Sequence, residues 1–587
     1  SSDLHEQEGV SDKGELGARG YEYEETRRNV EAARQRVDLN ETQIELYKKN
    51  TAVRPAHSSD AKTTVRCPLR ICDTKRIVPV LFSLPSPRAR VPTRCQSSES
   101  SRPSKSGACR GTTTMPEEVT IIGGGPCGSL LALMLKRRGY DVTVFELRDA
   151  ASIKMEPVET EASQAGGVDK LKNASARSIN LALSHRGIES LKAAGADTCI
   201  MDVAIPMPSR YLHMKDGSTA VQKYGKDDSE AIYSVARPEV CAKLVKLALS
   251  KGVKYEFGMK FSKMDRDGSV TFESAKPDPE TGKTTKVVRD GGCTFGCDGA
   301  FSATRTAVNR HGRLDLHTYY VKEGYKELSM PALAPGHEVG HGKYAMEPNH
   351  LHIWPRSTFM LIALPNNDGS FTCTLFAPHA ELEKLEKWDR EKVQEFLNEQ
   401  FPDAVKFMPN LMDEFNDHAS SPLVMVKVSP WNLNDNVLLL GDASHAVVPF
   451  YGQGMNAAFE DCLVFDELLD GPSATLRGAI KAMTAKRQPA ADGLNVLAMM
   501  NYHDMAHNTS SQLYLLRKKL EGVISRMFPV GWIPLYTMVT FTRIPYNEVL
   551  ERHERQERTL TRLTWGIAGI AAVGLGAAGR WLLNSRK

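Results

Sequence analysis

The chain has 587 residues, 41% of them hydrophobic and 25% charged, and its 75 Lys and Arg against 71 Asp and Glu leave a net charge of +4. This length allows several domains and a sizeable core, which excludes a small disulfide-stapled scaffold. A balance so near neutral offers no dominant positive field for phosphates, which argues against nucleic acid as a partner. The 11 cysteines are scattered without a Cys-x-x-Cys pair, so no metal site and no disulfide framework are expected, and a reducing compartment is the simpler reading.

Residues 1–114 read as a disordered N-terminal extension. They are rich in Ser, Thr, Arg, Glu and Lys and hold few apolar runs, too few to offset the entropy of ordering. Gly20 to Asn50 could form a charged helix, and Met115 reads as a candidate start just ahead of the first strand. Val119 to Ile122 predicts a short buried strand, Ser129 to Gly139 a helix, and Asp141 to Phe145 a second strand, a βαβ unit. A flexible break is expected from Ala151 to Ala174, and a mainly helical region from Thr475 to Arg558. Leu563 to Leu583 contains only Arg580 as a charge, is flanked by Trp565, Trp581 and basic residues, and would span ~31 Å as a helix, near the ~30 Å of a bilayer core. It is predicted to be a transmembrane tail anchor.

Gly123-Gly124-Gly125-Pro126-Cys127-Gly128 satisfies Gly-x-Gly-x-x-Gly between the first strand and the first helix. Gly123 would make the tight turn, Gly125 would let a pyrophosphate approach the backbone, and Gly128 would let helix and strand pack. The helix N-terminus adds free N–H groups and a positive dipole end. Glu146 closes the second strand 18 residues past Gly128, where a carboxylate accepts from a ribose diol, and Arg148 follows it. The combination predicts dinucleotide binding.

Further along, Leu438-Leu439-Leu440 runs into Gly441-Asp442-Ala443-Ser444-His445, followed by Pro449, Gly452-Gln453-Gly454-Met455-Asn456 and Asp461; Cys297-Asp298-Gly299-Ala300-Phe301-Ser302 closes with Arg305. With the glycine turn, these strings resemble the motifs of the aromatic-ring flavoprotein monooxygenases, in that family's order. The resemblance implies FAD, with Asp442 on the ribityl chain and the helix N-terminus at Gly454 facing the flavin's pyrimidine edge, where its dipole would stabilise the reduced ring. It also implies cofactor contacts from Cys127, Ala182, Arg237, Met455 and Asn456. His445 is expected to be structural.

Longer strings resemble one branch of this family: Arg177 to Gly187, Tyr344 to Asn349, Leu351 to Arg356, Gly452 to Cys462 and Ile533 to Phe541. The similarity runs from about Val119 to the C-terminus. It implies an amino-acid substrate bearing an aromatic amine, held by Arg210, Tyr224, Asn501 and Tyr536. A planar guanidinium suits a carboxylate because it offers two parallel charge-assisted bonds. The implied reaction uses NADPH as transient co-substrate at a surface groove and O2, through a flavin C4a-hydroperoxide, and hydroxylates the ring next to its amino group with no protein acid or base. One departure stands out: Glu323-Gly324-Tyr325 replaces the usual His-Gly-Tyr, and a carboxylate cannot do an imidazole's proton work at the same pH. Competing readings are a flavin monooxygenase for another aromatic acid and a non-catalytic carrier of the same fold.

The expected fold is α/β, a Rossmann-like FAD-binding domain with an inserted β-sheet substrate domain, a helical C-terminal part and the C-terminal transmembrane helix. FAD-binding parts are expected at 115–200, 236–310 and 431–474, substrate-domain parts at 201–235 and 311–430, the helical region at 475–560 and the anchor at 563–583. The expected location is the mitochondrial outer membrane, with the catalytic part facing the cytosol, or alternatively the endoplasmic reticulum.

Overall fold

The computed structural model describes residues 117–153, 180–225, 230–277, 281–334, 337, 341–471, 474–506, 512–528 and 531–585. The expected extension at 1–114, the charged helix Gly20 to Asn50 and the expected break from residue 154 onward lie outside them. All described residues belong to the compact unit Cys109–Lys587.

A six-stranded sheet carries the glycine turn. Its order is Asn432–Leu433, Val437–Leu439, Cys293–Gly296, Glu118–Ile122, Asp141–Glu146, Lys254–Phe257, parallel except for the edge pair Asn432–Leu433 with Val437–Leu439. The central strand buries Val119, Ile121 and Ile122, as a parallel strand covered on both faces must. Helix Pro126–Arg137 starts with proline at its first position, where no N–H is needed, and buries an unbroken run from Gly128 to Leu135. Helices His185–Ala194 and Gly454–Leu468 pack beside it.

A seven-stranded sheet forms the second layer, in the order Ser421–Ser429, Asp315–Met330, Phe371–Pro378, Phe359–Pro365, His350–Arg356, Ser209–His213, Thr219–Lys223. It draws strands from two distant stretches of chain. The join is the parallel pairing of His350–Arg356 with Ser209–His213, which places Arg210 opposite Leu351. One face of the sheet packs on helices His379–Glu386, Arg390–Gln400 and Leu411–Asp417 through Trp354, Phe371, Leu375, Leu382, Leu397 and Phe415. Its other face looks toward the glycine turn. A small sheet of Leu181–Leu183, Ile232–Val235 and Ile205–Met207 connects the two layers.

The C-terminal part is helical, with Leu476–Ala506, Gln512–Met527, Leu535–Phe541 and Tyr546–Asn584. The predicted transmembrane anchor is not supported. The helix Tyr546–Asn584 runs through it, yet among the described residues no helix is long and apolar enough to cross a membrane. Five glycines and five alanines occupy the stretch from Leu563 to Leu583. They give it helical length with little apolar side-chain area, and transfer to lipid scales with that area. The expected membrane partner and the placement at the mitochondrial outer membrane rested on this span and lose their support with it.

Candidate active site

The glycine turn is shaped by what stands behind it. Gly123 has φ +100°, and a Cβ there would lie 2.6 Å from the Cys297 carbonyl oxygen. A Cβ on Gly128 would lie 2.1 Å from the Gly123 carbonyl oxygen, so strand and helix meet at this point only if the residue is glycine. Gly125 is the opposite case: nothing stands within 4 Å of where its Cβ would be. It faces open space at the N-terminus of helix Pro126–Arg137 and lines a cavity of about 400 Å³.

Glu146 sits behind the turn. Its Oε2 accepts the Gly124 amide at 2.7 Å, and its Oε1 accepts both the backbone N–H and the Nε of Arg148 at 2.8 Å. Burial alone would raise this carboxyl's pKa, but the Arg148 guanidinium and the two amides hold it below the ordinary value. Arg148 Nη2 also donates to Oε2 at 3.3 Å, so all four acceptor positions are occupied, and a ribose hydroxyl would bind here by displacing an Arg148 contact.

The same cavity collects Cys127, Ala182, Arg237, Asp442, Gly454 and Met455. Arg237 is the first residue of helix Arg237–Ser250. Burial raises the Asp442 pKa, and the nearby Arg237 opposes that rise. Asn456 stands just outside the cavity wall: its Oδ1 accepts the Ser184 amide at 2.8 Å and its Nδ2 donates to the Ala182 carbonyl at 2.8 Å. It thereby fixes the strand Leu181–Leu183 to the N-terminus of helix Gly454–Leu468. Gly123, Gly128, Glu146 and Arg148 likewise frame the cavity from behind.

The far end of the cavity is lined by Arg210, Asn501 and Tyr536. Tyr224 stacks on Tyr536 with ring centroids 4.8 Å apart, and the Arg210 guanidinium carbon lies 4.8 Å from the Tyr536 ring centroid and 5.3 Å from that of Tyr224. The guanidinium therefore rests on two aromatic faces. Its Nε and the Tyr224 hydroxyl are both buried; the two side chains lie near enough to interact, but neither atom makes a hydrogen bond of good geometry among the described residues. Burial pulls the guanidinium's pKa down, and the phenols of Tyr224, Tyr536 and Tyr451 push it up by more. Asn501 comes from the long helix Leu476–Ala506 and donates to the Phe450 carbonyl at 2.7 Å.

Three sets of contacts escaped sequence reasoning. Tyr451 lines the cavity and stacks on Tyr536 at 5.7 Å. It lies inside a motif already recognised, but a motif does not show which way a side chain points. Glu323 faces Tyr502, which neighbours Asn501; burial first, and then Glu323, raises the Tyr502 pKa. Behind the flavin motif stands a buried ionic network. The Arg186 Nη1 donates to both oxygens of Glu460 at 2.9 and 3.0 Å, and Arg487 donates to Glu460 at 3.0 Å and to Asp461 at 2.9 Å. The His445 Nε2 lies 2.5 Å from Asp461 Oδ2, so the histidine serves this network. Arg186 also donates to the carbonyls of Val539 and Ile544 and stacks 4.0 Å from the Tyr546 ring, tying the C-terminal helices to the cofactor motif.

A family profile described as FAD binding domain matches residues 117–469. Kynurenine 3-monooxygenase of Caenorhabditis elegans is 38% identical over 476 residues, which cover 78% of this chain and 97% of the worm protein. The Sus scrofa protein of that name is 38% identical over 466 residues, covering 78% and 90%. A crystal structure of MHPCO, 2-methyl-3-hydroxypyridine-5-carboxylic acid oxygenase, overlaps with a TM-score of 0.50 at 20% identity, over 68% of this chain and 96% of the other, and shares the fold. At this identity and coverage, with the profile match over the glycine turn and the rest of the cavity's cofactor end, the chain belongs to the kynurenine 3-monooxygenase family of FAD-binding monooxygenases.

Proposed function

We propose that the protein is an FAD-dependent monooxygenase that consumes NADPH and O2 to hydroxylate L-kynurenine to 3-hydroxykynurenine. One observation carries the substrate reading. A buried arginine with an unpaired Nε, beside an unpaired buried tyrosine hydroxyl, closes the end of the cavity away from the glycine turn. Leaving such groups unpaired in the interior is costly, and an amino acid's carboxylate would satisfy both.

The residues fit FAD. Open space at Gly125, the adjacent helix N-terminus and the Glu146 carboxylate suit a pyrophosphate and a ribose. Asp442 would take ribityl hydroxyls, and the N-terminus of helix Gly454–Leu468 would face the pyrimidine edge of the flavin. When bound, FAD supplies the electron transfer from NADPH and the activation of O2. The chain's own residues do the rest. Arg210 clamps the substrate carboxylate, Tyr224 and Tyr536 hold the guanidinium in place, and Asn501 contacts the polar head. The apolar wall of Leu351, Ile362, Leu364 and Phe376 keeps water from the ring. The ring's own amino group directs the oxygen to the adjacent carbon, so no acid or base from the protein is assigned.

The test is NADPH consumption titrated with kynurenine, with 3-hydroxykynurenine followed separately. Saturable stimulation with matching product formation is expected. Stimulation by another aromatic acid but not by kynurenine would overturn the substrate, and a colourless purified protein would overturn the enzyme.

A further inference from the structure

Three cysteines meet at the floor of the cofactor cavity. Cys127 is the second residue of helix Pro126–Arg137, and Cys462 lies on helix Gly454–Leu468. Their sulfurs are 3.7 Å apart, and both are free thiols in the structure. Cys462 is fully buried, and its thiol donates to the Ala458 carbonyl at 3.4 Å, while Cys127 and the third cysteine, Cys297, line the cavity. A disulfide needs the sulfurs at ~2.05 Å, so a closing movement of roughly 1.6 Å would join them.

We propose that Cys127 and Cys462 form a peroxide-driven, reversible disulfide that clamps together the two helices framing the cofactor site. Three further features support the pair. Cys127 opens onto the cavity, so a small oxidant can reach it, whereas Cys462 cannot be approached from solvent. Hydrogen bonding from Cys297 and then Cys462 holds the Cys127 thiol low, at about 6, while burial pushes Cys462 up. The N-terminus of a helix favours a thiolate as well. Cys127 is therefore the attacking sulfur and Cys462 the resolving one.

The chemistry balances with hydrogen peroxide as oxidant. The Cys127 thiolate attacks one peroxide oxygen; the O–O bond breaks, an S–O bond forms, and the departing hydroxide takes a proton to become water. The Cys462 sulfur then attacks the resulting sulfenic acid. An S–S bond forms, the S–O bond breaks, and the second hydroxide leaves as water with the Cys462 proton. Two thiols are oxidised and one peroxide is reduced to two waters. The cross-link itself does not depend on the cofactor assignment; its effect on FAD rests on that reading.

The experiment exposes the full-length protein, once flavin-loaded and once after flavin removal has opened the cavity, to a few equivalents of hydrogen peroxide, alkylates the remaining thiols under denaturing conditions and maps disulfides by mass spectrometry. A Cys127–Cys462 peptide that disappears with dithiothreitol is expected. In Cys462→Ser, dimedone should capture a sulfenic acid at Cys127. Both cysteines remaining alkylatable in the wild-type protein, or pairing elsewhere, overturns the proposal without any variant having to fold. Flavin fluorescence then follows FAD release, which should slow at least threefold in the cross-linked protein and recover on reduction. Unchanged or faster release with the cross-link present overturns the clamp. A protein that never carried flavin fails the cofactor reading instead, and the mapped disulfide tells the two failures apart.

Discussion

Two buried arginines in this molecule meet opposite fates. Arg186, fully buried, is surrounded by protein acceptors: both oxygens of Glu460 and the carbonyls of Val539 and Ile544. Arg210 rests on tyrosine rings with its Nε unpaired. The first arrangement is complete within the chain and joins the flavin motif to the C-terminal helices. The second meets no anion among the described residues. A guanidinium whose partners are all supplied by the fold serves the fold; one held in place yet left unpaired is, in the function proposed above, the one open to a ligand.

Breaking the complete network should have the largest effect on stability. Glu460→Ala would strand Arg186 and Arg487 in the interior, and removing one partner of a buried ion pair typically costs about 3–5 kcal/mol. Chemical unfolding should show that loss; a near-native midpoint would mean that the network relaxes or hydrates.

Arg210→Ala is the converse. Kynurenine affinity should fall at least roughly thirtyfold, corresponding to ~2–5 kcal/mol for one lost partner of a buried charge pair. Folding stability should hold or rise, since this charge meets no anion among the described residues. Arg210→Lys should recover only part of the affinity, because an ammonium lacks the two-pronged geometry. Substrate titrations beside unfolding curves separate the two arginines, and a large stability loss in Arg210→Ala would collapse the distinction.

A smaller effect is expected at the cofactor end. Glu146→Ala and Asp442→Ala each remove a charged acceptor, costing ~1.5–3 kcal/mol, or roughly tenfold to a hundredfold in FAD affinity. Flavin content after gel filtration reads this directly, and full occupancy in both variants would remove these residues from the cofactor site.

The smallest effect concerns pH. Burial pulls the His445 pKa down, but Asp461 outweighs it and holds the histidine above its ordinary value. Its contribution is fully present below the unfolded value of 6.5 and is lost as pH rises through the folded one. Burial raises Asp461, but His445 and Arg487 outweigh that and hold it below 3.8, so its contribution is present above 3.8 and fades as pH falls through the lower folded value. The pair should therefore stabilise most between these limits. In His445→Gln the decline in stability above pH 6.5 should flatten; an unchanged slope would exclude His445 as its source.

Much of the cofactor end was legible because its determinants are local. The turn from Gly123 to Gly128, the strand before it and the Glu146 carboxylate lie within about thirty residues, and each has a steric or electrostatic reason to be where it is. That the residues proposed for the substrate would come together was expected only through family resemblance. Arg210, Tyr224, Asn501 and Tyr536 are spread over more than three hundred residues, and no local rule joins a strand arginine to a tyrosine of a C-terminal helix. The tail was misjudged because a low count of charges was taken for apolarity, whereas glycine and alanine supply length without the area that lipid rewards.

The sequence by itself determined the parallel-sheet dinucleotide unit and its anion-ready helix end, since both follow from backbone sterics and the dipole of a single helix. Only the tertiary structure decided which charges are spent inside the fold and which stay open. Whether Arg186 finds Glu460 while Arg210 meets no carboxylate among the described residues depends on how distant segments pack, and so does the 3.7 Å approach of Cys127 to Cys462, 335 residues further along the chain.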